Sequence, residues 1–142
     1  MEFDRFDSAG FMINWCARVF ERRMAAALRP LGLKPAYLPP LFTLSAMGEA
    51  TQSELAKASA IQQPTMALTL RRMERDGLIT RVQAKADERR AIVRLTPTAE
   101  EVLPQVEAIA RSINEAAFEG LPDDAPARLI ELLRQTVRNL EK

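Results

Sequence analysis

Residues 62–76, QQPTMALTLRRMERD, combine three kinds of side chain at helical spacing. Setting Met66, Leu70 and Met73 against a core turns Thr65, Leu68 and Arg72 outward, with Arg71 and Arg75 on the flanks of that surface. Gln62, Gln63 and Thr65 at the helix start carry short groups that donate and accept, and Thr69 completes the candidate polar set. Such groups beside arginines suit hydrogen bonds to phosphates and to base edges in a major groove. Leu68 is different: it makes no hydrogen bond, but it offers an apolar contact to a thymine methyl. Further along, Lys85, Arg89 and Arg90 surround Asp87 and Glu88 in the polar stretch 83–90. A tip arginine there can enter a narrow minor groove while an adjacent carboxylate holds the loop or the guanidinium in shape. Ser53 stands at the amide end of an earlier short helix, where anions are favoured.

Counting removes most other chemistry. Histidine is absent and Cys16 is the only cysteine, so His-dependent triads, His or Cys metal clusters and intramolecular disulfides are excluded. The five glycines form no phosphate-cradling loop, so neither an enzyme nor a bound cofactor or metal is expected. With 142 residues, 47% hydrophobic and 27% charged, the chain is expected to form one domain around one core. The longest uncharged stretches, 35–48 and 58–70, are shorter than the roughly 20 residues of a bilayer span and contain proline. The acidic start lacks the pattern of a secretion signal, and a cytoplasmic location with no membrane partner is expected. A net charge of +1 conceals polarity along the chain: residues 51–95 carry 9 basic and 5 acidic groups, and 96–142 carry 5 and 9. Contact with phosphate depends on such local excess, although an excess of this size also occurs on ordinary solvated surfaces.

The elements that must hold these residues can be read in order. Residues 4–28 suit a long helix with Ile13, Ala17, Phe20, Met24 and Ala27 on one stripe and Met12, Cys16 and Val19 beside it. Pro30 and Gly32 stop it. Residues 35–47 suit a second helix that starts or kinks near Pro39. Thr51 and Glu54 form a capping box for a short helix through Leu55 and Ala56. After a turn at 59–61, the helix over 63–76 tolerates Pro64 in its first turn and ends at Gly77. The β-prone runs 78–82 and 91–95 read as a hairpin. Thr96 and Pro97 open another helix with Val102, Val106, Ile109 and Ile113 on one stripe. A last helix, opened by Asp123 or Asp124, has Leu129, Leu132, Leu133, Val137 and Leu140 on a stripe expected to face inward. The small middle cannot cover both long terminal helices. A two-fold dimer is the economical solution, with an intramolecular three-helix bundle as its competitor.

Residues 51–96, with the capping box before Glu54-Leu55-Ala56, Gln63-Pro64-Thr65-Met66, Met73 to Gly77-Leu78-Ile79, Asp87-x-Arg89 and Val93-x-Leu95-Thr96, resemble the winged helix-turn-helix core of the MarR family of bacterial transcription regulators. Leu31-Gly32-Leu33 and the two terminal helices extend the resemblance over nearly the whole chain. It implies a mainly α fold with a small β-hairpin, in which a winged helix-turn-helix over 35–96 is flanked by N- and C-terminal dimerisation helices over 1–34 and 97–142. It also implies a homodimeric regulator of double-stranded DNA, usually a repressor of a pseudo-palindromic operator. By the family pattern Arg89 is the inserting wing residue and Asp87 its organiser.

The resemblance further implies release by a small lipophilic or phenolic effector held between the dimer helices and the DNA-binding lobe. Met12, Trp15, Cys16, Val19, Tyr37 and Phe42 are the candidate lining, with Arg18 for a carboxylate, although apolar residues at helical spacing equally serve a core. Two alternatives are distinct in kind. One is a winged-helix module for ligand or protein binding without DNA, which Leu68 on the reading face favours. The other is an oxidant sensor using Cys16, against which stand the lone tyrosine, Tyr37, and the expected burial of the thiol in an apolar stripe.

Overall fold

The computed structural model describes residues 2–84 and 87–142, with side chains described outside 83–89. Among the described residues six α-helices and three strands follow in the order α1 (Ala9–Leu28), α2 (Leu38–Met47), β1 (Glu49–Thr51), α3 (Gln52–Ala58), α4 (Gln63–Arg75), β2 (Ile79–Ala84), β3 (Asp87–Leu95), α5 (Pro97–Ala117) and α6 (Ala125–Leu140). The fold is mostly helical with one small antiparallel sheet, and it is a winged helix.

Local chemistry sets the boundaries. The Ser8 hydroxyl accepts from the Phe11 amide, and extended backbone at Ser8 separates α1 from a 3-10 turn over Arg5–Asp7. The expected helix over 4–28 is therefore interrupted at Ser8, because a cap competes with helix continuation there. Pro39 and Pro40 lie in the first turn of α2, where their missing donors cost nothing. In α3 the capping box is complete: the Glu54 amide donates to Thr51 Oγ1 at 3.1 Å, and the Thr51 amide donates to Glu54 Oε1 at 3.2 Å. Ala60, at φ 53°, makes the tight turn that swings the chain from α3 into α4. Gly77, at φ 76°, closes α4, and the amides of Gly77 and Leu78 donate to Glu74 and Met73 carbonyls. Thr96 caps α5 through the Ala99 amide and also donates its hydroxyl to the Gly77 carbonyl at 2.6 Å, which ties the two helix ends together.

The sheet has the order β1-β3-β2. Its third strand is a difference from the expected hairpin: Glu49, Ala50 and Thr51 pair with Arg94, Val93 and Ile92. Three residues are too few to reveal an alternating pattern, so the sequence carries no signal for β1. An ion pair from Arg94 Nη2 to Glu49 Oε2 at 2.5 Å crosses this edge. The other two strands are longer than 78–82 and 91–95, and a register shift between Val82 and Ala84 accommodates their extension.

The core lies under the helix-turn-helix. Leu41 and Leu44 of α2, Leu55 of α3, Met66, Leu70 and Met73 of α4 and Val93 of β3 are buried together, with Leu28 closing one side and Val106 another. The terminal helices differ from this. Ile13, Met12, Trp15 and Val19 in the first part of α1 are exposed, and α6 has no buried residue. Leu129, Leu132, Leu133, Val137 and Leu140 therefore do not face inward on their own chain, and Leu132 and Leu140 are 65% and 81% exposed. The stripe has the spacing foreseen, but its residues stay exposed in the single chain. Among the described residues, no helix is long and apolar enough to cross a membrane.

Candidate nucleic-acid interface

Helix α4 has two chemically different sides. Met66, Leu70 and Met73 are fully buried, while Thr65, Arg71, Arg72 and Arg75 are exposed and Leu68 is 42% exposed in their midst. Thr69, by contrast, is only 8% exposed and lies with the inner side, so it is not part of the outward face. Gln62 precedes the helix and is exposed. Gln63 is half-buried and already engaged, its Nε2 donating to Ser53 Oγ at 3.0 Å and its Oε1 accepting from Gln52 Nε2 at 3.5 Å. That small network joins the starts of α3 and α4. Gln52, 3% exposed, is its buried member and escaped sequence reasoning because it reads as an ordinary second residue of a capping box.

Two links fix α4 at its other end. Arg81 Nη2 of β2 donates to Glu74 Oε1 at 3.1 Å, coupling helix to wing. Tyr37, 1% exposed, donates its hydroxyl to Asp76 Oδ2 at 2.5 Å, and Arg75 Nε donates to Asp76 Oδ1 at 3.2 Å. A carboxylate at a helix C-terminus faces the negative end of the dipole, so Asp76 is held in place by these donors against that repulsion. The Tyr37 hydrogen bond, followed by that of Arg75, pulls the Asp76 carboxyl below its usual range, and burial, reinforced by Asp76, pushes the Tyr37 hydroxyl up. The pair is thus intact with Asp76 charged and Tyr37 neutral. Its contribution is present above the ordinary carboxylate value of 3.8 and below the ordinary tyrosine value of 10.0, and is lost as pH falls through the lowered Asp76 value or rises through the raised Tyr37 value. Tyr37→Phe is expected to lower the melting temperature by about 3–6 °C, the loss of one charge-assisted hydrogen bond in a domain of this size. That gap between the two proteins stays constant from about pH 5 to 9 when melting is followed by calorimetry, and narrows outside that window.

In the wing, Arg90 is exposed on β3. Asp87 and Arg89 fall within the bounds of β3, but their side chains, and the whole of Lys85, lie outside the described residues.

The effector candidates do not share one environment. Met12, Trp15, Cys16, Arg18 and Val19 are exposed along α1, Phe42 is half-buried against the core, and Tyr37 is a core residue with its hydroxyl spent on Asp76. The Tyr37 ring is thus part of the core in the single chain. Cys16 is exposed in the single chain, not buried as its apolar stripe suggested. A small cavity of about 140 Å3 lies between α1 and α5, lined by Val19, Phe20, Arg23, Ile113, Ala116 and Ala117. Only Val19 among the candidates reaches it. Trp15 instead joins Phe6 and Phe11 in a ring cluster with centroids 5.9–6.2 Å apart, edge-on to Phe11 and tilted against Phe6. Among the described residues no group of three or more carboxylate, thiol or imidazole side chains could hold a metal.

A helix-turn-helix whose second helix presents an arginine-rich outer face, followed by a β2–β3 wing that pairs back onto β1, defines the class of winged helix-turn-helix proteins. Residues 40–91, from α2 into β3, match the model of the MarR family. A probable transcriptional regulator from Pseudomonas aeruginosa shares 27% identity, with a TM-score of 0.82 over 94% of this chain and 99% of that one. A mutant MarR from E. coli complexed with operator DNA is 21% identical, with a TM-score of 0.82 over 96% and 98% of the two chains. BpsR of Bordetella bronchiseptica, solved in connection with regulation of its DNA binding by 6-hydroxynicotinic acid, is 21% identical with a TM-score of 0.85 over the same shares. Residues 40–91 thus carry the MarR-family match, and nearly the whole chain shares the winged-helix fold of these transcriptional regulators.

Proposed function

We propose that the protein acts as a homodimer that binds a pseudo-palindromic operator and represses transcription by occupying it. Residues 35–96 form the DNA-binding region, and residues 1–34 and 97–142 form the dimerisation region. The observation that carries the reading is the two-sided character of α4, whose buried stripe fixes it to the core while Thr65, Leu68 and Arg72 face outward. Helix α4 enters the major groove, Gln62 and Thr65 meet bases or phosphates near its start, and Arg72 meets phosphate or guanine. Ser53 approaches the backbone, with Gln63 holding it in place. Lys85, Arg89 and Arg90 serve the wing, with Arg89 in the minor groove and Asp87 shaping the loop.

Two copies present two α4 helices to half-sites about 10 base pairs apart. The exposed apolar stripes of α1 and α6 support this pairing, since large unpartnered apolar surfaces mark association sites. A small lipophilic or phenolic effector, meeting Met12, Trp15, Cys16, Val19 or Phe42 with Arg18 as its anion partner, releases the DNA. The protein works in the cytoplasm and needs no cofactor.

Titration against the inverted-repeat duplex recovered by in-vitro selection, at several salt concentrations, tests the reading. Affinity is expected to fall steeply and linearly on logarithmic axes as salt rises. Affinity indifferent to salt, or a pool that yields no enriched duplex, would refute it.

A further inference from the structure

Resting on that reading, we propose that Leu68 is a specificity-determining residue that recognises the 5-methyl group of one thymine in each half-site. Leu68 occupies the second turn of α4, between Thr65 one turn before and Arg72 one turn after, at the centre of the outward face. Its neighbours across the helix, Met66, Leu70 and Met73, are fully buried, so the helix has no freedom to roll and take Leu68 into the core. The polar groups that could substitute for it are elsewhere: Thr69 is turned inward and the Gln63 amide is engaged by Ser53 and Gln52. The middle of the face is therefore apolar.

In the major groove every base edge presents hydrogen-bonding atoms, and thymine alone adds an apolar group, its 5-methyl. An apolar side chain against the donors and acceptors of cytosine, guanine or adenine leaves those atoms dehydrated and unpaired, whereas against the methyl it buries carbon on carbon. Leu68 thus discriminates in two ways, by contact with thymine and by leaving the other bases unsatisfied. Thr65 and Arg72, one turn to either side, set the register of that contact through polar bonds.

The test uses the full-length protein and the selected duplex, with each thymine in turn replaced by deoxyuridine, which deletes only the methyl. One thymine in each half-site is expected to be sensitive, with affinity falling about fourfold for one replacement and about 15-fold for the symmetric pair, as for loss of one buried methyl per site. Leu68→Ala, at an exposed position with unchanged helix propensity, should bind the thymine and uracil duplexes equally, and Leu68→Gln should shift the preferred base there from thymine to adenine. A wild-type protein that binds with the expected salt dependence but tolerates every uracil overturns the role of Leu68 while leaving DNA binding intact. So does a Leu68→Ala protein that keeps the full thymine-to-uracil ratio. A protein that selects no duplex at all loses both proposals together.

Discussion

Placing charge on the exposed apolar stripe of α6, by Leu132→Glu together with Val137→Glu, is expected to convert the protein to a monomer and to weaken operator binding by about a thousandfold or more, because two half-sites then lose their shared tether. Both residues are exposed on α6, at 65% and 50%, and α6 contributes nothing to the core of its own chain. Charges placed there leave the helix-turn-helix lobe folded while making any apolar pairing costly. The apolar residues exposed along α1 and α6, among them Ile13, Trp15, Leu129, Ile130 and Leu133, are numerous enough to form the centre of a stable interface, which typically removes about 1,200–2,000 Å2 from water. Sedimentation equilibrium reads the oligomeric state and a gel-shift titration reads the affinity. A double variant that remains dimeric, or a monomer that binds as tightly as the parent, contradicts the assignment of these helices.

The second large effect belongs to the reading helix. Arg72→Ala is expected to lower operator affinity about 10- to 100-fold per half-site, the range for a lost guanine or phosphate contact, without changing the melting temperature by more than a degree or two. The stability expectation follows because Arg72 is exposed and makes no ion pair among the described residues. Arg75 differs from it, being already committed to Asp76. The salt dependence separates the two partners Arg72 could have. Loss of a phosphate contact reduces the logarithmic slope by about one per half-site, whereas loss of a guanine contact leaves the slope and relaxes preference at one base pair. Adding Arg89→Ala should remove a further contribution from the wing. Unchanged affinity in the double variant would exclude both contacts.

Much of the architecture is legible in the chain because short-range chemistry marks it. The Thr51-Glu54 box, Pro64 in a first turn, Gly77 in the left-handed region and the Thr96-Pro97 pair are all found doing what their types predict. The buried stripe Met66, Leu70, Met73 follows from its spacing alone, and the outward position of Arg72 follows from it. What is not legible depends on contacts between distant residues or on partners outside the chain. Strand β1 is too short to carry a pattern and forms because β3 offers it an edge. The Tyr37–Asp76 and Gln52–Gln63–Ser53 links join residues 10 to 39 positions apart, and no spacing rule predicts them. Thr69 misleads because it lies beside the boundary between the two sides of α4, where one step of rotation decides burial. The stripe on α6 has the periodicity of a core-facing helix, and periodicity cannot say whether the core belongs to the same chain.

In the proposed complex two α4 helices, joined through the end segments, meet successive major grooves on one side of the duplex. Inserting five base pairs between the half-sites of the selected operator tests this most directly, since half a helical turn carries one half-site to the opposite side without altering either sequence. The expected result is a loss of affinity toward the level of a single half-site, and its recovery when the insertion is extended to a full turn is limited by the reach of the rigid dimer. Equal affinity for the parent and the half-turn duplex, with two chains bound to each, would contradict that arrangement.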